Sequence, residues 1–235
     1  MSNVLVVYRK ELLHYFRSPI AYFVAAVFLI GTGYFFTSNI LLTGIAGMAE
    51  TFQSMGILLL VVCPVITMRL FAAEYSDGTM ELLMTLPLEP WQVVLGKFLG
   101  ALTLLMLITV GTLIDLVPLY LFSTPESTTI LAGYIGFLLL GTACLAVGQF
   151  FSALTENQIV AALITVSVLL GFWFVGNLQS FQASRLLRGL FGHLSFSEHF
   201  GAFVSGLVRS EAVVFFIVVS AIALTLNAGY LQLRR

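Results

Sequence analysis

The sequence predicts an all-α integral membrane protein with six transmembrane helices, and three observations carry that prediction. Of 235 residues, 60% are hydrophobic and 9% are charged, and the mean hydropathy is +1.05. A soluble domain carries about 25% charged residues, so this chain cannot cover a water-facing surface. Six apolar stretches, near 20–42, 52–71, 91–122, 128–151, 157–178 and 212–233, reach the length of about 20 residues that a spanning helix needs. These runs are continuously apolar, whereas the strands of a membrane barrel alternate apolar and polar residues. The runs take up most of the chain and leave no room for a separate soluble domain. The expected organisation is an amphipathic segment, 1–18, followed by one transmembrane domain, 19–235.

The first segment contains Arg9, Lys10, Glu11, His14 and Arg17, too polar for the apolar region of a cleavable signal peptide. Leu5, Tyr8, Leu12, Tyr15 and Phe16 recur at helical spacing, while Arg9, Lys10 and Arg17 can reach lipid phosphates. That pattern predicts an interfacial helix anchored by those three cations, with its apolar face among the acyl chains. Ser18-Pro19 then offers an N-cap and a first-turn proline for the first span. With six spans both termini share a side. That side carries seven basic residues near span ends (Arg9, Lys10, Arg17, Arg69, Lys97, Arg234, Arg235) against three (Arg185, Arg188, Arg209) on the other. Basic residues near span ends resist translocation, so cytoplasmic termini are expected.

The polar interruption 74–87 between the second and third spans is then cytoplasmic. It holds three of the eleven acidic residues, Glu74, Asp77 and Glu81. Read as a helix, it places Glu74, Asp77 or Gly78, Glu81 and Thr85 on one face and Met80, Leu83, Met84 and Pro87 on another. Asp77-Gly78 is also a turn signal, which would start the helix at Thr79. Pro87 ends the element, and Glu89-Pro90 opens the third span with proline in its first turn. Large apolar side chains at this face mark a binding surface or a helix resting on lipid.

No catalytic chemistry is visible. Cys63 and Cys144 fall inside spans, no CxxC pair exists, and His14, His193 and His199 are scattered; no metal site is expected. HExxH, GxSxG and GxxxxGK[ST] are missing, and Gly96-Lys97 lacks both the upstream glycine and the following Ser or Thr. The chain is therefore expected to bind neither ATP nor Mg itself and not to be an enzyme. Lys97, one or two turns into the third span, is expected to snorkel to the cytoplasmic interface. Asp115, with Pro118 after it, reads either as a substrate or ion contact or as a residue at the outer end of the span. Asn39, Gln53 and Asp115 are the candidate pathway residues. Gln149, Asn157, Asn177 and Gln179 read as interfacial or interhelical hydrogen-bonding groups. Gly133, Gly136, Gly141 and Gly148 permit close helix approach, for internal packing or for a dimer face. The outer-side segment 179–211 mixes Phe181, Leu186, Leu187, Leu190, Phe196 and Phe200 with scattered charges. It reads as short helices that shield the bundle or cover a pathway.

The run Glu74-Tyr-Ser-Asp-Gly-Thr-Met-Glu-Leu-Leu-Met-Thr-Leu-Pro-Leu88 resembles the signature of ABC type-2 exporter permeases, in which Gly-Thr, Glu-Leu-Leu and Pro follow the second membrane helix. The start from Lys10-Glu-Leu to Phe16-Arg-Ser-Pro19, the six spans, and the long segment before the last of them are similar to that family as well. Residues 194–206 resemble the branch containing gliding-motility and nitrous-oxide-reductase maturation permeases. The resemblance implies a type V exporter fold in a prokaryotic plasma (inner) membrane. It implies a pair of permease subunits, same or homologous, each contacting a cytoplasmic ABC ATPase that binds ATP and Mg. The segment 74–87 would be the coupling helix, with Glu74, Asp77, Gly78, Thr79, Glu81, Leu82, Leu83 and Thr85 at the ATPase contact. Membrane lipid and an outer-side accessory protein complete the implied partners; nucleic acid is not among them. Two alternatives stay open: an ion-coupled secondary transporter with Asp115 essential, and a force-transmitting subunit that moves no substrate.

Overall fold

Inside a bilayer no water is available to backbone N–H and C=O groups, so continuous apolar runs close their own hydrogen bonds as helices. The computed structural model, which describes residues 3–43, 48–80, 88–122, 125–176 and 192–234, has that character, and no strand occurs among the described residues. In chain order the helices are α1 (Asn3–Arg17), α2 (Pro19–Thr43), α3 (Ala49–Thr67), α4 (Ala72–Ser76) and α5 (Pro90–Thr112). A 3₁₀ turn, Leu113–Asp115, leads into α6 (Leu116–Phe122). Then come α7 (Ser127–Leu154), α8 (Gln158–Phe174), α9 (Phe196–Val204) and α10 (Ser210–Leu233).

Among the described residues five spans are long and apolar enough to cross a membrane: Pro19–Leu41, Ala49–Ser76, Pro90–Leu121, Ser127–Leu154 and Ser210–Leu233. The expectation was six. The remaining candidate, α8, has 17 residues, a length of about 25 Å against a hydrocarbon core of about 30 Å. It is capped by Asn157, whose Oδ1 accepts from the N–H groups of Ile159 (2.9 Å) and Val160 (3.4 Å). The N-cap Glu89 forms a capping box with Gln92 ahead of Pro90, a feature the proline alone did not reveal.

α7 is the central helix, packed most extensively on α10 and α3 and also touching α5, α8 and α9. Lipid tails are as apolar as leucine, so helices associate here through close packing rather than through escape from water. Small residues make that possible. A Cβ on Gly141 would lie 2.5 Å from Leu105 Cδ2, and one on Gly148 would lie 2.2 Å from Thr67 Oγ1. On Gly133 it would meet Phe52 Cε2 at 2.3 Å, and on Gly136 it would meet Phe203 Cβ at 2.4 Å. All four glycines the sequence singled out therefore serve packing within the chain. α2 and α10 bury the smallest share of their span and turn residues such as Ile30, Leu41 and Val214 outward, toward lipid.

α1 is helical over Asn3–Arg17 and is packed into the bundle along one side. It lies along α5, burying Val7, Glu11 and Tyr15. A Cβ on Gly96 would sit 2.6 Å from Val7 Cβ, and one on Gly100 would sit 2.8 Å from Glu11 Cβ. The pair Gly96-x-x-x-Gly100 is thus a groove into which α1 fits. Leu5 and Phe16, two of the residues assigned to the apolar face, stay exposed. The buried stripe is rotated to 7, 11 and 15 because the glycine groove selects it.

Candidate functional site

α3 stops at Thr67, and four residues later the chain enters α4. The break leaves backbone groups without helical partners, and Ser152 of α7 meets three of them. Its Oγ accepts from the N–H groups of Phe71 (3.1 Å) and Ala72 (3.2 Å) and donates to the carbonyl of Met68 (3.0 Å). One side chain thereby sets where α4 begins.

From α4, Glu74 reaches a cluster of charges between α1 and α5. Its Oε1 lies 3.0 Å from Lys97 Nζ and 3.0 Å from Lys10 Nζ. Lys97 Nζ also donates to Glu11 Oε1 at 2.7 Å and sits 5.2 Å from the centre of the Phe71 ring. The side chains of Lys97, Glu11 and Glu74 are only 2%, 7% and 13% exposed, and that of Lys10 is 59% exposed. Two carboxylates and two ammonium groups balance each other, which is what permits their burial. Lys97 therefore does not snorkel outward as expected. The close approach of α1 at Gly96 and Gly100 covers it, and it turns to Glu11 and Glu74 instead.

α4 has a second attachment. The Arg234 guanidinium lies 4.9 Å from the centre of the Tyr75 ring, so the end of α10 is fastened to the same short helix. On α1, the Tyr15 hydroxyl donates to the carbonyl of Ile66 at 3.2 Å. Burial, and then the neighbouring Glu11 carboxylate, push that phenol up, so it remains a neutral donor. Helices α1, α5, α7 and α10 thus all converge on α4 at one end of the bundle.

Beyond this base the chain turns outward. Asp77 and Gly78 form the turn the dipeptide signalled, with Gly78 at φ 68°, in the left-handed region that favours glycine. Helical structure resumes at Thr79, so the interruption is not one continuous helix from Glu74. Asp77, Gly78 and Thr79 are exposed, available to a partner. Glu74 is not presented at that tip; it is held inside by the two lysines. Met80, assigned to the exposed apolar face, is buried in the core. Glu81, Leu82, Leu83 and Thr85, the other candidate contacts, lie outside the described residues.

Of the three anchor cations, Arg9 and Arg17 are exposed, while Lys10 is engaged with Glu74. The candidate pathway residues fall on α2, α3 and the 3₁₀ turn after α5. Asn39 Nδ2 donates to Thr51 Oγ1 at 3.4 Å, Gln53 is half-buried on α3, and Asp115 lies in the 3₁₀ turn near Gly33. Gly33 and Asn39 are about 9 Å apart along α2. Among the described residues no group of three His, Cys, Asp or Glu side chains is placed to hold a metal ion. His199 stacks on Phe215, with ring centres 4.1 Å apart.

The described part of the segment 179–211 is more deeply placed than a surface shield. Phe196, Phe200 and Phe203 of α9 are fully buried. A Cβ on Gly56 would lie 2.8 Å from Phe200 Cε1, so α9 is wedged among α3, α7 and α8. Gly136, its neighbour on α7, is about 24 Å along that helix from Ser152, which puts the wedge toward the opposite end from the charge cluster. Residues 179–191 of that segment lie outside the described residues.

Sequence reasoning missed the Glu11–Lys97–Glu74 cluster, whose members are far apart in sequence. A signal was present: a lysine between two glycines four apart, and a glutamate on the stripe of Val7 and Tyr15. Comparison with curated proteins finds no match. A family model described as "ABC-2 family transporter protein" matches residues 5–232. The match gives no support to the gliding-motility branch in particular. It spans nearly the whole chain, the charge cluster included, and it agrees with the resemblance of the 74–88 run: the chain belongs to the ABC-2 transporter family and is a multi-pass membrane permease component of an ABC transporter.

Proposed function

We propose that this chain is the six-span permease of an ATP-driven exporter in a prokaryotic plasma membrane, with both termini in the cytoplasm. It pairs with a second permease subunit and takes its driving force from a separate cytoplasmic ATPase through residues 74–87. The observation that carries this reading is an exposed turn, Asp77–Thr79, mounted on a helix whose base is ion-paired to α1 and α5. A loop fastened only at its ends would yield when pushed. Here a displacement of the turn is passed through Glu74 to α1 and α5, through Tyr75 to the end of α10, and through Ser152 to α7. ATP binding in the partner would close the ATPase pair and tilt these helices together. The equilibrium of one element is then biased from both sides, as coupling requires. ATP and Mg belong to the partner; this chain contributes a lever and a path.

Thr79→Cys tests the contact. The two native cysteines are buried, so the new thiol is the reactive one. In native membranes a short bifunctional thiol–amine reagent should join it to a Walker-motif ATPase. Labelling of Thr79→Cys by a membrane-impermeant reagent added outside intact cells would overturn the reading.

A further inference from the structure

Next to the charge cluster, between α1, the first turns of α2 and α5, the coupling role leaves a cation unused. Arg69, in the connection after α3, lines a cavity of about 30 Å³ with His14, Tyr15 and Ser18. Among the described residues its one hydrogen bond runs from Nη1 to Ser18 Oγ at 3.3 Å. Among those residues its buried Nε has no partner and no carboxylate pairs with it. Glu11 lines the same cavity, but its Oε1 is held by Lys97. A half-buried guanidinium without a counter-charge is costly unless an anion is supplied. Arginine's fork of donors is suited to phosphate.

The cavity adjoins something larger. It shares Tyr15, Ala21 and Leu104 with a groove of about 150 Å³ that runs between α2 and α5 to Leu29, Leu107 and Ile108. Apart from the hydroxyls of Tyr15 and Tyr22, the groove is lined by apolar side chains, and a space of this size accommodates a benzene-sized group in other proteins. Pro19 to Leu29 is ten residues of helix, a depth of about 15 Å. That is half of a hydrocarbon core of about 30 Å, one leaflet. Ser18 immediately precedes α2 and Arg69 follows the end of α3 by two residues, and helix ends of this kind are where a cation can meet a lipid headgroup.

We infer that this is a binding site for one anionic phospholipid, its phosphate on the Arg69 guanidinium and one acyl chain in the groove beside Ala25 and Leu29. A free anion would use the cation and leave the groove unexplained; a neutral lipid would do the reverse. The lipid would bridge α1 and α2 beside Glu11, fastening the helix that carries half of the buried ion pairs.

Native mass spectrometry of the full chain in mild detergent tests the site, with dioleoylphosphatidylglycerol, dioleoylphosphatidylcholine and inorganic phosphate as probes. One phosphatidylglycerol should be retained per chain, about tenfold more tightly than phosphatidylcholine, and millimolar phosphate should not displace it. Arg69→Gln should lose that tenfold preference, and Arg69→Lys should keep most of it. Ala25→Phe, which changes no charge and fills the groove, should abolish retention, and it decides the matter alone if Arg69→Gln fails to assemble. Equal retention of the two lipids, displacement by inorganic phosphate, or undiminished retention in Ala25→Phe would each overturn the proposal.

Discussion

Lys97→Met removes the ammonium group that Glu11 and Glu74 share, and the consequence can be worked from the distances. At 2.7 Å and 3.0 Å, with an effective dielectric constant near 20, the two contacts carry a gross attraction of about 6 kcal/mol each. Most of it offsets the cost of taking three charges out of water, which is several kcal/mol per ion. The net worth of the cluster is therefore small. Deletion of its centre is another matter, because two carboxylates then face each other inside the protein with only the 59%-exposed Lys10 to neutralise them. Breaking a buried pair in this way costs about 3–5 kcal/mol. Reversible unfolding in mixed detergent micelles reads the loss. Adding Glu11→Gln, which discharges one stranded carboxylate, should recover part of it, with a coupling energy of about 1–3 kcal/mol between positions 11 and 97. If Lys97→Met unfolds within about 0.5 kcal/mol of the parent, the range of an ordinary surface substitution, then Lys97 reaches water and the cluster described here does not hold the junction.

Three further outcomes are expected. Ser152→Ala strands the N–H groups of Phe71 and Ala72 and should cost about 1–3 kcal/mol, with faster hydrogen exchange confined to those two amides and their neighbours; unchanged exchange there would remove Ser152 from the account. Gly100→Ala puts a methyl group 2.8 Å from Glu11 Cβ and should push α1 from α5 at a cost of about 1–3 kcal/mol. Spin labels at the exposed positions Leu13 and Leu107 should report a longer separation. Phe200→Ala empties a fully buried site and should cost about 3–5 kcal/mol, without lowering ATPase activity in a complex that remains folded, because α9 lies toward the opposite end from the charge cluster.

The helical membrane character was legible because the bilayer imposes it: runs without polar partners must be helical, and their length is set by the hydrocarbon thickness. The turn at Asp77-Gly78 was legible for an equally local reason, glycine's access to positive φ. The placement of α1 was not. Leu5, Tyr8, Leu12 and Phe16 have the right period for an interface helix, but period does not say which face a neighbour will take. Two glycines on α5 decided that, ninety residues away in sequence. Lys97 was misread for the same reason. A lone lysine near a span end ordinarily snorkels, and only the arrival of α1 over Gly96 and Gly100 closes that route and supplies Glu11. The role of Ser152 depends on the end of α3 at Thr67, which nothing in the sequence around Ser152 announces. Local chemistry was readable, whereas partners chosen by tertiary approach were not.

The most direct test of the coupling reading is ATP hydrolysis by the permease co-purified with its ATPase, compared with the variant Asp77→Arg/Glu81→Arg. These substitutions reverse two charges at the proposed contact and leave Glu11, Lys97 and Glu74 in place. The account predicts that the variant folds and inserts normally but loses either the ATPase subunit or the dependence of its turnover on the permease. Full, permease-dependent ATP turnover in the variant would contradict it, as would a wild-type chain that purifies without an ATPase and transports on an ion gradient alone.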